Sequence, residues 1–308
     1  MAKTLVFGHQ NPDTDTISAA LAASYLLNNA YHEETEAVAL GKPNAETQYA
    51  LDYFKVAAPR VIKEADTETV VLVDHNEAGQ SVANIADITV TGVYDHHKID
   101  FKSAAPMYFI NMPYGSTATI LYYEFKNANV EIPAELAGMM ASAIISDTLL
   151  LKSPTTSPMD QPALEALATL AGLADYQAYG LAMLKAGTDL SSRTAKELID
   201  GDAKSFDMAG QSVRVGQVNT VDVEDVFARR DEVVAAIEEE LASEDYDTFI
   251  FVVTNILESN SDVLVLGANQ DKVAKAFATT LIDGRASLPG VVSRKKQVVP
   301  PLQAAFEA

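Results

Sequence analysis

Short apolar runs alternate with longer stretches of helical period through the first half of the chain. Lys3 to Gly8, Val38 to Leu40, Val70 to Val73, Thr89 to Val93 and Tyr108 to Ile110 have strand length, whereas Ile17 to Asn28, Ala45 to Phe54, Thr117 to Asn127 and Ala134 to Leu151 read as helices. Such alternation predicts an α/β domain with a parallel sheet covered by helices. In sheets of this kind ligands collect outside the carboxyl ends of the strands, where loops from several strands meet on one edge.

Past the middle the pattern changes. Glu165 to Lys185 reads as helical, and Ala186 to Arg193 is a polar stretch of small residues suited to a linker. The expected organisation is an amino-terminal domain over residues 1–187, a linker over 188–194 and a carboxyl-terminal domain over 195–308. In the second domain Ser212 to Val218, Thr248 to Thr254 and Val263 to Gly267 read as strands around an acidic helix from Val223 to Leu241. That predicts a smaller, mixed-sheet α/β domain, and 308 residues suffice for both.

Composition narrows the partners. A formal charge of -21, from 43 acidic against 22 basic residues, repels polyanions, so neither nucleic acid nor an anionic membrane is an expected partner. With no cysteine, disulfides, thiolate-bound zinc and cysteine nucleophiles are excluded. The first apolar run is too short for a signal-peptide core and no later run reaches membrane-spanning length, so a cytoplasmic protein is expected.

Four of the five histidines sit in aspartate-containing clusters, each directly after an apolar run: His9 with Asp13 and Asp15, His75 with Asp74, and His96 and His97 with Asp95. Imidazole nitrogen and carboxylate oxygen together suit divalent manganese, cobalt, zinc or iron. Each cluster has a bland alternative: Asp13 or Asp15 can cap the following helix, Asp74 can brace a loop, and paired histidines can be structural. Ser146-Asp147-Thr148 offers a further carboxylate. Jointly, His9, Asp13, Asp15, Asp74, His96 and Asp147 supply six ligands, about right for two ions sharing a carboxylate. Such pairs, about 3.5 to 4 Å apart, activate a bridging water for phosphoryl hydrolysis.

Ser293-Arg294-Lys295-Lys296 is a cationic cluster in a chain short of positive charge. Arginine grips phosphate oxygens bidentately and lysine adds a mobile charge, although a solvated basic loop is the alternative. The flanking prolines suggest a shaped loop. Composition alone does not select Lys204, which by itself reads as a surface lysine.

On these motifs the chain resembles the manganese-dependent, family II inorganic pyrophosphatases of the DHH phosphoesterase superfamily. The resemblance rests on Gly8 to Thr16, Val73 to Glu77, the Asp95-His96-His97 triplet, Ser146 to Thr148 and Ser293 to Gln297. It implies a two-domain enzyme, its active site in the cleft between the domains, that hydrolyses pyrophosphate to two phosphates with a metal-bridged hydroxide. It further implies that His9 and Asp13 bind one metal, that Asp15, His96 and Asp147 bind the other, and that Asp74 bridges both. His97 would contact the oxygen linking the phosphates, Lys204, Arg294 and Lys295 would hold the terminal phosphates, and Asp95 would orient an imidazole. Asp13, Asp74 and His97 would be the catalytic set. The implied cofactors are two Mn2+ per subunit, with Co2+ able to substitute, and Mg2+ arriving with the substrate. A homodimer through the amino-terminal domain is also implied. A DHH phosphoesterase acting on short oligonucleotides or cyclic dinucleotides is the nearest rival, and a non-catalytic metal-dependent sensor a more distant one.

Overall fold

The computed structural model describes residues 3–188, 190–191 and 193–307, which fall into two units, Met1–Gly187 and Thr188–Ala308. The expected linker over 188–194 contains Asp189 and Ser192, which lie outside the described residues.

The first unit runs β1 (Thr4–Phe7), α1 (Thr14–Ala30), β2 (Thr35–Ala39), α2 (Ala45–Phe54), β3 (Arg60–Val61), β4 (Thr69–Val73), β5 (Thr89–Asp95), β6 (Tyr108–Asn111), α3 (Thr117–Ala128), α4 (Ala134–Thr148), α5 (Asp160–Leu170) and α6 (Tyr176–Gly187). Its strands form one parallel sheet in the order β3-β2-β1-β4-β5-β6. The chain winds outward from β1 to β3, then returns to lay β4 on the other flank of β1. This reversal opens a crevice at the carboxyl ends of β1 and β4, because their outgoing loops diverge there. Register does the rest: Phe7 lies beside Leu72 and Val73 beside Tyr94, so the residues that follow β1, β4 and β5 emerge at one level.

Leu5, Phe7, Val38, Val70, Leu72 and Val93 lie in a buried cluster with Ile62, Ala65 and Val82 of the connections between strands. That cover is made by the connections between strands, including the short 3-10 turn Ile85–Asp87, while α1 packs on β1, β2 and β4 and α3 packs on β5. Two predicted helices end differently. The stretch expected to run to Leu151 stops at Thr148, because Leu149, Leu150 and Leu151 turn left-handed with φ of 47°, 54° and 65°. Left-handed backbone is costly for a β-carbon-bearing residue, so three in succession hold stored strain beside Asp147. The stretch from Glu165 to Lys185 is two helices, α5 and α6, broken where Gly172 adopts φ 71°.

The second unit runs α7 (Ala195–Asp200), β7 (Ala203–Met208), β8 (Gln211–Thr220), α8 (Glu224–Phe227), α9 (Arg230–Ser243), β9 (Thr248–Asn255), β10 (Asn260–Gly267), α10 (Gln270–Ala276), β11 (Arg285–Leu288) and α11 (Val299–Glu307). Thr194 starts it with a reciprocal cap, accepting from Glu197 N while the Glu197 carboxylate accepts from Thr194 N. The sheet order is β11-β10-β9-β8-β7, with β8 and β9 parallel and the other pairs antiparallel, which is the mixed sheet expected. Every residue of β9 is buried, and separate apolar clusters cover the two faces. The acidic helix expected from Val223 to Leu241 is divided into α8 and α9. The basic segment is not a loop: Ser293 caps a π-helical turn, Arg294–Val298, that runs into α11. Pro300 and Pro301 follow this turn, in the first turn of α11, and supply no N–H to the carbonyls of the π-helical turn before them. Among the described residues no helix is long and apolar enough to cross a membrane.

Candidate metal centre

The crevice at the carboxyl ends of β1, β4 and β5 gathers the expected ligands of the first unit. Asp74, just past β4, is 2% exposed and left-handed at φ 56°, a strained conformation for a non-glycine residue. One of its oxygens, Oδ2, lies 3.5 Å from His9 Nε2, and the other, Oδ1, lies 3.4 Å from His96 Nε2. His9 Nε2 is also 3.5 Å from Asp13 Oδ2, and His96 Nε2 is 3.9 Å from Asp147 Oδ2. Among the described residues three overlapping sets have ligand atoms within 4.8 Å of one another: His9, Asp13 and Asp74; Asp15, His96 and Asp147; Asp74, His96 and His97. A cavity of about 440 Å3 opens on them, lined by Asp13, Asp74, His96, His97 and Asp147.

Local chemistry fixes each side chain. Asp13 does cap α1, its Oδ1 accepting from Thr16 N at 2.9 Å, but Oδ2 remains to face His9, so the capping and ligand readings coexist. Asp15 is fully buried and accepts from Ser116 Oγ at 2.7 Å, Thr117 N at 2.6 Å and Ala118 N at 3.0 Å, all at the amino terminus of α3. Thr16 Oγ1 donates to Asp74 Oδ2 at 2.7 Å. His96 Nδ1 donates to the Tyr114 carbonyl at 3.0 Å, because a carbonyl only accepts, and this frees Nε2 for a cation. His97 Nδ1 pairs with buried Asp95 at 2.9 Å. His75 is structural: it is buried, with Nδ1 on the Val73 carbonyl and Nε2 on Ser81, and burial lowers its pKa.

Charge is out of balance without a cation. Burial, reinforced by the Asp74 charge, pushes Asp15 up to about 7, and burial with the Asp15 charge holds Asp147 well above the ordinary carboxylate range. Burial would lower His9, yet Asp13 and Asp74 hold its proton and raise it to about 10. His96 likewise rises to about 9, Asp74 and Asp15 outweighing burial. Asp74 goes the other way: burial opposes its charge, but His9 and His96 keep it far below the usual range. Protons here stand where divalent charge would stand, and the donor set of two imidazoles and four carboxylates fits manganese.

Sequence reasoning missed the support around these groups. Besides Thr16 and the Ser116–Ala118 turn, Glu46 accepts from Thr14 Oγ1 at 2.9 Å and from Ser146 Oγ, bracing the neighbours of Asp13, Asp15 and Asp147. Asp160, fully buried, accepts from Gly115 N, Thr119 Oγ1 and Ser157.

In the second unit, Arg294 donates to the Asp202 carbonyl, and to Asp202 Oδ1 at 2.7 Å, with only 10% of its side chain exposed. Lys204 on β7 pairs in register with Val215, whose carbonyl also accepts from Arg294 Nη1. Lys204 and Lys295 are exposed and form no ion pair among the described residues.

Comparison with known proteins covers both units. The model of the DHH family, N-terminal domain, matches residues 3–144, and that of the DHHA2 domain matches residues 181–305. The chain is 58% identical, over all of both chains, to a probable manganese-dependent inorganic pyrophosphatase of Lactiplantibacillus plantarum. To one of Enterococcus faecalis it is 55% identical over 99% of this chain and 100% of that one. A solved structure of a putative family II inorganic pyrophosphatase from Methanococcus jannaschii matches with TM-score 0.63 and 37% identity over 98% of this chain and 99% of that one. An exopolyphosphatase-related protein of Bacteroides fragilis, 12% identical with TM-score 0.52 over 99% of this chain and 92% of that one, shares the fold alone. Similarity that runs end to end at more than half of all positions places the chain in the family of manganese-dependent, family II inorganic pyrophosphatases.

Proposed function

We propose that this chain hydrolyses inorganic pyrophosphate to two phosphates at a two-cation site. The observation that carries the reading is Asp74, whose two oxygens face His9 and His96 separately, so that two sets of ligands share one carboxylate. His9 and Asp13 would hold one ion and Asp15, His96 and Asp147 the other. Bound cations of this kind lower the pKa of a coordinated water and withdraw charge from phosphoryl oxygens.

The chain's own residues would do the remaining work. Asp95 fixes the His97 ring through Nδ1, which leaves Nε2 to meet the oxygen linking the phosphates and to stabilise charge on it as that bond breaks. Lys204, Arg294 and Lys295 would neutralise the terminal phosphates. The same reading takes two Mn2+ per subunit with Co2+ as a substitute, Mg2+ bound to the substrate, a homodimer through the first unit and a cytoplasmic setting. A net charge of -21 works against nucleic-acid substrates, which favours compact pyrophosphate over the oligonucleotides that a related phosphoesterase would cleave.

The test is phosphate release after chelator stripping, with manganese, cobalt, zinc or magnesium restored separately, and with pyrophosphate, tripolyphosphate and a dinucleotide compared side by side. Turnover of pyrophosphate restored best by manganese is expected. Preferential cleavage of the dinucleotide would overturn the reading.

A further inference from the structure

Asp160 is a carboxylate buried completely at the start of α5, with no cationic partner among the described residues. Burying such a charge is costly unless every oxygen is hydrogen-bonded. Here the groups aimed at it are all donors: Gly115 N at 3.1 and 3.0 Å to its two oxygens, Thr119 Oγ1 at 2.6 Å, Ser157 N at 2.6 Å and Ser157 Oγ at 2.8 Å. An asparagine of the same shape would set an NH2 group against some of these donors, so the site is built for an anion.

The Gly115 N–H belongs to the peptide whose other end is the Tyr114 carbonyl. That carbonyl accepts from His96 Nδ1 at 3.0 Å. Carboxylate, peptide and imidazole thus form one chain of hydrogen bonds, Asp160 to Gly115 N–H, and Tyr114 C=O to His96. Such a chain polarises each member and pins the peptide plane against rotation. The next residues of the same segment, Ser116 to Ala118, hold Asp15. Space is matched as closely: a β-carbon on Gly115 would come 2.7 Å from Asp160 Oδ2 and 2.6 Å from Thr148 Cγ2.

We propose that Asp160 is a positioning residue for the ion assigned to Asp15, His96 and Asp147, acting through the Tyr114–Gly115 peptide; this rests on the two-ion reading above. Asp160 sets the orientation of that carbonyl, and the carbonyl sets the tautomer and angle of His96. His9 and Asp13 make no bond to this segment; it reaches their ion only through the shared Asp74, to which Thr117 Oγ1 donates at 3.2 Å, so the role falls mainly on one of the two ions.

The experiment titrates Mn2+ into chelator-stripped full-length chain by calorimetry, with bound manganese read independently by electron paramagnetic resonance. Asp160→Asn is expected to weaken one of two binding events by up to about 10-fold, the low end of the cost of losing a direct outer partner of a metal ligand because the Tyr114 carbonyl remains, and to affect the other less. Turnover at limiting Mn2+ should fall and recover at saturating Mn2+, with KM for pyrophosphate unmoved. Gly115→Ala, which displaces the same peptide by a different route, should give the same signature, and Ser157→Ala a milder shift of the same event. Two wild-type binding events in a variant with a lowered melting temperature would overturn the proposal, leaving a purely structural role. Equal weakening of both events would overturn it as well. A wild-type chain that takes up a single ion would instead sink the two-ion reading, before any variant is compared.

Discussion

His97 is tied to Asp95 twice, its backbone N–H reaching Asp95 Oδ1 at 3.1 Å and its ring Nδ1 reaching the same oxygen at 2.9 Å. Asp95 is fully buried, whereas the His97 side chain is 49% exposed. A buried carboxylate therefore aims an accessible imidazole, and Asn76 secures the carboxylate's other oxygen. The bond to Asp95, more than any other influence, raises the His97 pKa above its ordinary value. If His97 meets the departing oxygen as proposed, these are the features that role needs.

Replacing that ring separates the roles. His97→Ala should keep both manganese ions and lower kcat by about 10²- to 10⁴-fold, the usual span for general acid–base assistance. Asp95→Asn should lower kcat less, because the ring stays but its orientation and proton affinity are relaxed. Since His97 also lies within reach of Asp74 and His96, loss of an ion from His97→Ala would instead make it a ligand.

Asp74 is the position on which both ligand sets converge. Asp74→Asn keeps the shape but removes the charge that faces His9 and His96. Manganese stoichiometry, read by titration after chelation, should fall below two per chain. Turnover should drop by about 10³-fold or more, since a cation's stabilisation of transition-state charge is worth several kcal/mol. Normal turnover with two bound ions would refute the shared-carboxylate role.

Proton release should accompany metal loading. In the cation-free protein His9 rises to about 10 and His96 to about 9, both above the unfolded value of 6.5. At pH 7.5 a cation must displace both protons, so at least about two should be released per chain when both sites fill, with further release from Asp15, near neutrality, and from Asp147, which burial holds well above the ordinary range. Manganese affinity should therefore rise with pH, as calorimetry in buffers of different ionisation enthalpy would show. The stability linkage has the opposite sign. A histidine whose folded pKa is raised stabilises the cation-free fold fully below pH 6.5 and loses that contribution as pH climbs through about 9 to 10. Chelated protein should melt at lower temperature at pH 10 than at pH 7, and manganese should reverse the trend.

The gathering of His9, Asp13, Asp74 and His96 was legible because they follow apolar runs, and a parallel sheet delivers the ends of neighbouring strands to one edge, whereas Asp15 and Asp147 reach that edge from helices α1 and α4. Their support was not. Ser116 meets Asp15 across 101 positions and Gly115 meets Asp160 across 45, distances over which spacing carries no information. The left-handed Leu149 to Leu151 could not be foreseen either, since leucine has no preference for that region and only tertiary packing enforces it. Some signals were present and misread. Gly172 marks the break between α5 and α6, and Pro300-Pro301, taken as loop residues, lie in α11 where the π-helical turn runs into it. The strand β7 was missed because only Met208 of it is buried, leaving no apolar run.

The basic segment separates two cations that sequence placed side by side. The Lys295 side chain is exposed and makes no hydrogen bond or ion pair among the described residues, so Lys295→Ala should leave the melting temperature and manganese loading unchanged. If it grips a terminal phosphate, the lost charge-assisted hydrogen bond, worth about 1.5 to 3 kcal/mol, should cost roughly 10- to 100-fold in kcat/KM for pyrophosphate. Arg294 differs, because it already holds Asp202 and the Val215 carbonyl. Arg294→Ala should cost the second unit about 1 kcal/mol of stability, a modest figure because the Asp202 side chain is 61% exposed, as well as lowering kcat/KM. Arg294→Lys keeps the charge but cannot make the forked contact, and should recover little of either. A Lys295→Ala enzyme with wild-type kcat/KM would remove that lysine from the phosphate-binding set. A stable Arg294→Ala enzyme with impaired kcat/KM would show that the Asp202 contact gives way when substrate binds.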